Sequence, residues 1–408
     1  MSGSMSHVKV LDLSRVFAGP WAAQMLADFG AEVIKIEHVQ GGDDVRRMGV
    51  PHLNADGGET GVTSSFLAMN RGKRSLAVDM SKPEGQKIVA DLAADADVLI
   101  ENFKLGNMAK FNLDYETLSK VNPRLVYCSV TGYGQTNPRS ARPGYDPVFQ
   151  AVTGIMSITG VPDGQPGAGP NLVGYSISDI TAGCYAVIAI LAALNHRDAG
   201  GGQGQHLDIA LYDTQVHAAS HMAMNYLSNG KVPFRNGTAS QITCPWQVFN
   251  AADKPIMIAV GNDPQFRRFA GLLGCPELAD DVRYATNIER VRHKETLVPI
   301  LSARIGEWQA AALQAKLDEV GIAAGPINSF DEVLVDEQVV HRNLRRRMTH
   351  PAAGEIDVIA NPIRFSATPN VYDRAPPELG ADTDWVLDTH LGLSAEEIAK
   401  LREQGIVG

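Results

Sequence analysis

The residue best suited to covalent chemistry is a carboxylate at the start of a long apolar helix. Asp179 lies in the segment 174–183, directly before a stretch whose apolar residues predict a helix over 180–195. In one interpretation Asp179 is the N-cap of that helix and accepts hydrogen bonds from free backbone N–H groups. In the other, the helix dipole holds the carboxylate ionised as a nucleophile, and nearby backbone N–H groups stabilise an oxyanion. Taken alone, the residue favours the cap.

A second group of residues is basic and could neutralise phosphates. Arg71, Lys73 and Arg74 lie close together in the segment 70–75, which follows a turn and enters a predicted strand. Guanidinium and ammonium groups are common phosphate partners in proteins. A solvated charged loop is the alternative, and the sequence alone favours it. Further cations that could join the group are Arg15, Arg46, Lys104 and Lys110.

Two strand ends carry patterns that are found at nucleotide sites. Glu37 and His38 end the second predicted strand, where an acidic residue marks the ribose position of a dinucleotide fold. The turn 14–20 lacks the GxGxxG glycines, which argues against a nicotinamide or flavin cofactor. Glu37 could instead mark a ribose or adenine pocket, or end a surface strand. The segment 129–135 runs from a strand into a glycine turn, which either lines a ligand crevice or is an ordinary turn.

No metal site is predicted. His217 and His221 are four residues apart on a predicted helix, a spacing that can bind a metal, but no HExxH motif or third ligand accompanies them. We therefore interpret both histidines as structural. The glycine-rich segment 198–205 follows a helix and precedes a strand, which is the wrong order for a phosphate loop, so we interpret it as a connector.

Alternating strands and helices must position these residues. A strand over 8–13, a helix over 21–29 and a strand over 32–37 form a βαβ unit, which predicts a parallel sheet with right-handed crossovers. The alternation continues, and it predicts a doubly wound α/β domain. Amphipathic helices after about residue 226 indicate a second, smaller domain. Further strands are predicted over 73–78, 97–101, 125–130, 205–210 and 254–260, and further helices over 83–94, 115–121, 264–273, 282–295, 307–320 and 394–404.

Composition and charge limit the classes to which the protein can belong. The chain has 408 residues, of which 44% are apolar and 20% charged, typical of a soluble globular protein of two or three domains. A net charge of −10 argues against a nucleic-acid partner, because such binding depends on phosphate neutralisation. No uninterrupted apolar run of about 18 residues occurs, so no membrane span is expected. The four cysteines are widely spaced, which favours reduced thiols in a cytoplasmic enzyme.

Seven short motifs, in this order, resemble those of the family III CoA-transferases, the CaiB/BaiF and formyl-CoA transferase group. The likeness extends over nearly the whole chain, and the order of the motifs is more specific than any one of them. The motifs occupy 12–20, 33–37, 70–75, 101–103, 129–135, 144–146 and 179–183, and a further match lies at 325–328.

The resemblance implies a fold and an assembly. It implies a homodimer of two ring-like subunits that are interlocked like chain links. A large Rossmann-like domain would comprise 1–225, completed by 331–408, and a smaller α+β domain would comprise 226–330. Coenzyme A would bind at the strand ends of the large domain as a co-substrate, with no permanently bound cofactor.

The resemblance also implies roles for individual residues. The aspartate that matches Asp179 is the family's nucleophile, and it forms an aspartyl anhydride and then an aspartyl-CoA thioester. The implied partners are therefore an acyl-CoA and a small carboxylate. The residues that match the family's CoA contacts are Phe17, Ala18, His38, Asn70, Arg71, Gly72, Lys73, Asn102, Phe103, Lys104, Lys110, Thr131, Gly132, Tyr133 and Gly134.

Departures from the family pattern bear on the substrate. Phe17 and His38 stand where the formyl-CoA members have glutamine and arginine, and a mobile glycine-rich loop is not evident. The middle region is more similar to members that use dicarboxylates, such as the succinyl-CoA:glutarate, itaconate and malate transferases. A second carboxylate needs a cationic or hydroxyl partner. Candidate substrate-binding residues are Arg46, Tyr145, Thr238 and Ser240.

Three other functions are weighed against CoA transfer. An α-methylacyl-CoA racemase of the same fold carries histidine in a Gly-His-Asp motif, whereas this chain has Tyr145, whose phenol is a poorer base at neutral pH. A non-catalytic CoA- or nucleotide-binding protein would leave Asp179 as a cap only. A nicotinamide oxidoreductase is disfavoured by the missing glycine pattern.

Overall fold

The structure is a computed structural model that describes residues 3–54 and 56–408. These residues form two compact units. The first unit contains the described residues up to Ile155, together with Val173–Gly230 and Val340–Gly408. The second unit contains Met156–Leu172 and Lys231–Val339.

The strands, in chain order, are β1 (Lys9–Asp12), β2 (Glu32–Glu37), β3 (Pro51–Leu53), β4 (Glu59–Thr63), β5 (Lys73–Ala77), β6 (Val98–Glu101), β7 (Val126–Thr131), β8 (Gly160–Val161), β9 (Gly169–Pro170), β10 (His206–Ala210), β11 (Trp246–Asn250), β12 (Pro255–Ala259), β13 (Ala323–Pro326), β14 (Arg345–His350) and β15 (Gly354–Ile359).

The α-helices are α1 (Ala18–Asp28), α2 (Ser64–Met69), α3 (Pro83–Ala93), α4 (Asn107–Lys110), α5 (Tyr115–Val121), α6 (Asp146–Val152), α7 (Ile155–Ile158), α8 (Ile177–His196), α9 (Leu211–Ala218), α10 (Ser220–Asn229), α11 (Asp263–Leu272), α12 (Asn287–Arg292), α13 (Lys294–Ile305), α14 (Ala310–Glu319), α15 (Phe330–Val333), α16 (Glu337–His341), α17 (Thr383–Leu391) and α18 (Ala395–Glu403).

A six-stranded parallel sheet is the centre of the first unit. Its strand order is β10-β7-β6-β1-β2-β5, and every neighbouring pair is parallel. Successive residues face opposite sides, so Val10 packs with α1 and α8 while Leu11 packs on the side of α3, α5 and α17. Both faces are covered, which explains why the strands read as nearly continuous apolar runs. The predicted parallel α/β fold is confirmed.

Helix α8 is the long apolar element that the sequence predicts. By length and composition the stretch Ile177–Gly201 could cross a membrane, and 44% of its most apolar window is buried. This is weak evidence for a membrane span, because core helices of soluble proteins have the same length and composition. In this chain α8 packs against α1 and β7.

The structure departs from the predicted elements at several places. The single helix predicted over 282–295 is wrong, because the chain there forms turns, then α12, and then the start of α13. His217 and His221 do not share a helix, because Ala219 ends α9 and α10 begins at Ser220. The β14–β15 hairpin in the C-terminal segment carried no clear strand signal in the sequence.

The division into units differs from the expected domain boundaries at three segments. Residues 226–230, expected in the small domain, group with the first unit, and residues 331–339, expected in the large domain, group with the second unit. Residues 156–172, expected in the large domain, group with the second unit. Their β8–β9 hairpin is tied to the chain near residue 235, because Arg235 donates to the Val161 carbonyl at 3.2 Å and pairs with Asp163.

A three-stranded antiparallel sheet, β11-β12-β13, organises the second unit. Helices α11, α13 and α14 contribute to its core. Arg290 is fully buried in this unit and donates to the carbonyls of Cys244 at 2.7 Å and Tyr284 at 2.9 Å. It also pairs with Asp263 at 2.8 Å and lies over the ring of Phe266.

Arg290→Ala is expected to lower the free energy of unfolding by roughly 2–4 kcal/mol, because it opens a cavity and leaves two buried carbonyls without a donor. Arg292 on the same helix is exposed, so Arg292→Ala is the matched control and should change stability by less than about 0.5 kcal/mol. Chemical denaturation measures both variants. Equal losses in the two would contradict the structural role given to Arg290.

Candidate active site

The carboxyl ends of the parallel strands meet at one edge of the sheet, where ligands bind in open α/β folds. The loop after β1 brings Phe17 and Ala18 to this edge, and the loop after β6 brings Asn102. Helix α8 starts beside them. A Cβ atom built on Gly183 would lie 2.7 Å from the Ala18 carbonyl oxygen, so the start of α1 touches the first turns of α8.

Asp179 is the third residue of α8 rather than its N-cap, so the capping interpretation is wrong. Ser176 is the N-cap residue, and its side chain makes no capping hydrogen bond. The Asp179 carboxylate is partly buried and accepts no hydrogen bond from residues 3–54 or 56–408.

Asp146, at the start of α6, caps α8 from outside the helix. Its Oδ1 atom accepts hydrogen bonds from the backbone N–H groups of Ser178, at 2.6 Å, and Asp179, at 3.3 Å. Its Oδ2 atom accepts from Gln150 Nε2 at 2.7 Å, and Gln150 Oε1 accepts from Val173 N–H at 2.9 Å. Asp146 lies in the motif 144–146 but is not among the candidate residues predicted from the sequence, although Pro147 signals a helix start there.

The backbone N–H groups expected to stabilise an oxyanion are already occupied. Asp146 takes those of Ser178 and Asp179, and the carbonyls of Tyr175 and Ser176 take those of Ile177 and Ile180. An oxyanion formed at Asp179 therefore needs donors from outside this helical turn.

The electrostatics of Asp179 also differ from the expectation. Burial, together with the charge of Asp146, raises the pKa of Asp179 to about 7. The helix dipole was expected to keep this carboxylate ionised at low pH, but the anionic cap offsets that field. Asp179 is therefore a stronger base than an ordinary aspartate.

Most of the predicted phosphate cations are engaged inside the first unit. Arg71 forms a buried pair with Asp28 through two hydrogen bonds of 2.8 and 2.6 Å. Lys73 is fully buried and lies 2.7 Å from Asp12. Arg74 pairs with Asp382 and lies over the ring of Trp385. All three cations are therefore paired within the first unit, and a phosphate-binding role for 70–75 stays a prediction.

Arg46 is also engaged inside the first unit. Its guanidinium makes two hydrogen bonds, of 2.8 and 2.7 Å, to Glu37. Glu37 is itself buried and accepts from Ser75 Oγ at 2.7 Å, so it is neither a free ribose acceptor nor the end of a surface strand. Both interpretations of Glu37 are therefore wrong, whereas a substrate role for Arg46 stays a prediction.

Two further residues of the 70–73 segment hold the backbone. Asn70 is buried. Its Nδ2 atom donates to the Phe66 carbonyl at 3.1 Å, and its Oδ1 atom accepts from Lys73 Nζ at 2.9 Å. Gly72 has φ of +76° and a Cβ atom there would lie 2.9 Å from that of Ala27, so a side chain is excluded on both grounds.

Exposed cations remain at the end of β6. Lys104 and Lys110 are exposed, and Arg15 lies 5.0 Å above the ring of Phe103. Asn102 holds the Arg15 backbone from both sides, at 2.8 and 2.7 Å. His38, half-exposed after β2, accepts from Gln40 N–H through Nδ1 and points Nε2 toward Asp79 at 3.6 Å.

The turn after β7 is tightly packed. Thr131 Oγ1 accepts from Gly134 N–H at 3.0 Å, and Gly134 has φ of +81°. The ring of Tyr133 packs on Phe149 at 5.2 Å. Gly132 faces the same ring, because a Cβ atom there would lie 2.7 Å from it.

The remaining candidates fall in both units. Tyr145, at the N-cap of α6 in the first unit, is 71% exposed. Thr238 and Ser240 belong to the second unit, where their hydroxyl oxygens accept from backbone N–H groups of Val248, Ile242 and Thr243. Among the described residues no group of three or more His, Cys, Asp or Glu side chains could hold a metal ion.

The chain is similar to known proteins over most of its length. The family model described as CoA-transferase family III matches residues 5–383. The chain is 45% identical over 383 residues to a succinate–glutarate CoA-transferase of Agrobacterium fabrum, covering 94% of each chain. It is 39% identical over 403 residues to the succinyl-CoA:glutarate CoA-transferase of Homo sapiens, covering 99% of this chain and 90% of that one.

A crystal structure supports the same assignment. The structure of a CaiB/BaiF family protein from Brucella suis is 40% identical in sequence and matches with a TM-score of 0.85. The match covers 96% of this chain and 100% of that one. The chain belongs to CoA-transferase family III.

Proposed function

We propose that this protein transfers coenzyme A from succinyl-CoA to a small dicarboxylate, with glutarate as the first acceptor to test and Asp179 as the nucleophile. The observation that carries the proposal is the partly buried Asp179 carboxylate, which has a raised pKa and accepts no hydrogen bond within the described residues. Family membership and the activities named for the relatives support the donor and the acceptor.

The first half of the reaction moves CoA onto the protein. An Asp179 oxygen attacks the acyl carbonyl carbon of succinyl-CoA and the C–S bond breaks. CoA departs as a thiolate, and a mixed anhydride of Asp179 and succinate remains. The thiolate then attacks the aspartyl carbonyl carbon and succinate departs, which leaves an aspartyl-CoA thioester.

The second half reverses these steps on the acceptor. The acceptor carboxylate attacks the aspartyl thioester and releases the thiolate, which forms a new mixed anhydride. The thiolate attacks the acceptor's acyl carbon, so the acceptor leaves as its CoA ester and Asp179 returns as a carboxylate. Each nucleophile and each leaving group is an anion, so the sequence needs no proton transfer once Asp179 is ionised.

The CoA nucleotide is proposed to lie along the carboxyl edge of the sheet. Phe17, Ala18, His38 and the loops 102–104 and 131–134 would contact it, and the exposed Lys104, Lys110 and Arg15 would face its phosphates. Asn70, Arg71, Gly72 and Lys73 would act indirectly, because their side chains or backbone hold the loops rather than reach solvent.

The second carboxylate of the acceptor needs a cationic or hydroxyl donor, and Arg46 already gives two of its hydrogen bonds to Glu37. Thr238 and Ser240 use their oxygens as acceptors of backbone N–H groups, which leaves each hydroxyl hydrogen able to donate to a carboxylate. Tyr145 is the exposed candidate beside Asp146.

The assembly is proposed to be the interlocked homodimer of the family, with a Rossmann-like domain and a smaller domain in each subunit. Exposed apolar side chains along α8, α9 and α10 support a second copy as the partner, because an exposed apolar surface of this kind marks an interface. They include Ile188, Val216, Met224 and Leu227.

Replacing Asp179 should abolish transfer. Wild type, Asp179→Ala and the exposed-site control Asp388→Ala are incubated with succinyl-CoA and a panel of glutarate, itaconate, malate, mesaconate, citramalate, formate and oxalate, and the CoA esters are identified by mass. Wild type and the control are expected to form the dicarboxylate esters, and hydroxylamine should trap an adduct on Asp179. If wild type transfers no CoA but exchanges deuterium into a 2-methylacyl-CoA, the protein is a racemase instead.

The pH profile should report the charge of Asp146. Transfer requires ionised Asp179, so kcat/KM of wild type is expected to rise with pH through an apparent pKa of about 7. Asp146→Asn keeps an oxygen that can accept from Ser178 N–H but removes the negative charge, so the acidic limb should move to lower pH. Asp388→Asn should leave it in place. An unshifted limb in Asp146→Asn would contradict the electrostatic role.

Asp179 should reduce the stability of the fold at neutral pH. The pKa of Asp179 is higher in the folded state than in the unfolded state. At low pH the carboxyl group is protonated in both states and does not affect stability. As the pH rises to about 7 the unfolded state loses this proton first, so the free energy of unfolding falls. Asp179→Asn should therefore be more stable than wild type above pH 7, by about 1–2 kcal/mol after solvent screening, and similar to it near pH 4. Denaturation at both pH values measures the difference, and a constant difference would refute it.

A further inference from the structure

A strained residue in the loop after β1 is held by a buried carboxylate that the proposed chemistry does not use. Val16 has φ of +70°, in the left-handed region that β-branched residues rarely enter. Such a conformation persists only where the surroundings fix it. Asp43 supplies that constraint, because its Oδ1 atom accepts a hydrogen bond from Val16 N–H at 3.0 Å.

Asp43 is itself fixed by buried charges. Lys35 Nζ lies 2.9 Å from Asp43 Oδ2, and neither side chain reaches solvent. The backbone N–H of Asp43 donates to Glu37 Oε1 at 3.0 Å, and Arg46 holds Glu37 in turn. A continuous set of polar contacts therefore runs from Arg46 to the strained residue.

The residues before Val16 are held as well, by other elements. Ser14 N–H donates to Asp12 Oδ1 at 3.0 Å. The backbone of Arg15 makes two hydrogen bonds, of 2.8 and 2.7 Å, to the side chain of Asn102 after β6. The backbones of residues 14, 15 and 16 are thus each hydrogen-bonded to a different side chain, and these bonds fix the conformation of the loop.

The strained position determines how α1 begins. Phe17 is the N-cap residue of α1 and Ala18 its first residue. The Ala18 carbonyl lies against Gly183, where an added Cβ atom would come within 2.7 Å of it. Gly183 is about one helical turn after Asp179 on α8. The backbone after Val16 therefore leads within two residues to a contact with the helix that carries Asp179.

We propose that Asp43 is a positioning residue. By holding Val16 in the left-handed conformation, it seats Phe17 and Ala18 against α8 and thereby places the acyl-CoA thioester at Asp179. The inference rests on the proposed function, and it adds a residue that neither contacts the substrate nor takes part in the bond changes.

The test is a double-variant cycle of Asp43→Ala and Val16→Gly, assayed for transfer from succinyl-CoA to glutarate. Asp43→Ala is expected to lower kcat/KM for the donor roughly 100-fold, because a displacement of about 1 Å has an effect of that size. Glycine adopts positive φ without strain. Adding Val16→Gly should therefore recover roughly tenfold or more of the loss, while Val16→Gly alone should remain near wild type.

Control variants separate the hydrogen bond from the charge. Asp43→Asn keeps an oxygen acceptor for Val16 N–H but not the charge facing Lys35, so it should lose thermal stability and keep most of the activity. Asp388→Ala should be unchanged in both. Full activity in Asp43→Ala, or no recovery on adding Val16→Gly, would overturn the proposal. If Asp43→Ala does not fold, the cycle is repeated with Lys35→Met, which removes the unpaired ammonium.

Hydrogen exchange of the segment 14–18 gives a readout that does not depend on activity. Faster exchange is expected in Asp43→Ala than in wild type and in Asp43→Asn. Wild type that transfers no CoA to any acceptor would refute the proposed function. Unchanged exchange in Asp43→Ala would refute the positioning role, whatever the activity.

Discussion

The edge of the sheet that carries the site depends on one fully buried pair of opposite charges. Lys73 Nζ lies 2.7 Å from Asp12 Oδ2 and also donates to the Pro20 carbonyl, at 3.0 Å, and to Asn70 Oδ1, at 2.9 Å. β1, β5, α1 and the end of α2 therefore meet at one ammonium group. Burial lowers the pKa of Lys73 to about 8 despite the charge of Asp12. The ammonium is tolerated because each of its three hydrogens has an acceptor.

Around the candidate site, other carboxylates also fix the structure through hydrogen bonds, in this case by accepting from backbone N–H groups. Asp12 accepts from Ser14 N–H, Asp43 from Val16 N–H, Glu101 from Phe103 N–H and Asp146 from Ser178 N–H. Asp12 and Asp43 also pair with the buried Lys35 and Lys73, so these two cations do not reach solvent at the strand ends. In a protein of net charge −10, the cations that remain exposed there, which include Arg15, Lys104 and Lys110, can still attract an anionic ligand.

Local patterns in the sequence were sufficient for the strands of the parallel sheet and for α8, but they placed Asp179 just before this helix rather than in its first turn. These patterns did not predict which residue pairs with any of the charged side chains. Arg71 has the features of a phosphate ligand, yet its partner Asp28 lies 43 residues earlier. Asp146 caps α8 from 32 residues before Ser178, and no rule for local capping would find it. Spacing reveals which side chains share an element, whereas pairing across elements depends on the packed fold.

Asp179 is the carboxylate that departs from this pattern. Burial alone would raise the pKa of Asp12, but the charges of Lys73 and Lys35 and its hydrogen bonds hold that pKa below the ordinary value, which makes this anion a poor nucleophile. At Asp179, burial and the charge of Asp146 instead raise the pKa to about 7, and no donor reaches the carboxylate within the described residues. An uncharged cap could hold the first turn of α8 equally well. An anionic cap holds the turn and also makes the adjacent carboxylate more basic, so a single side chain provides both the position and the reactivity that the proposed attack on a thioester requires.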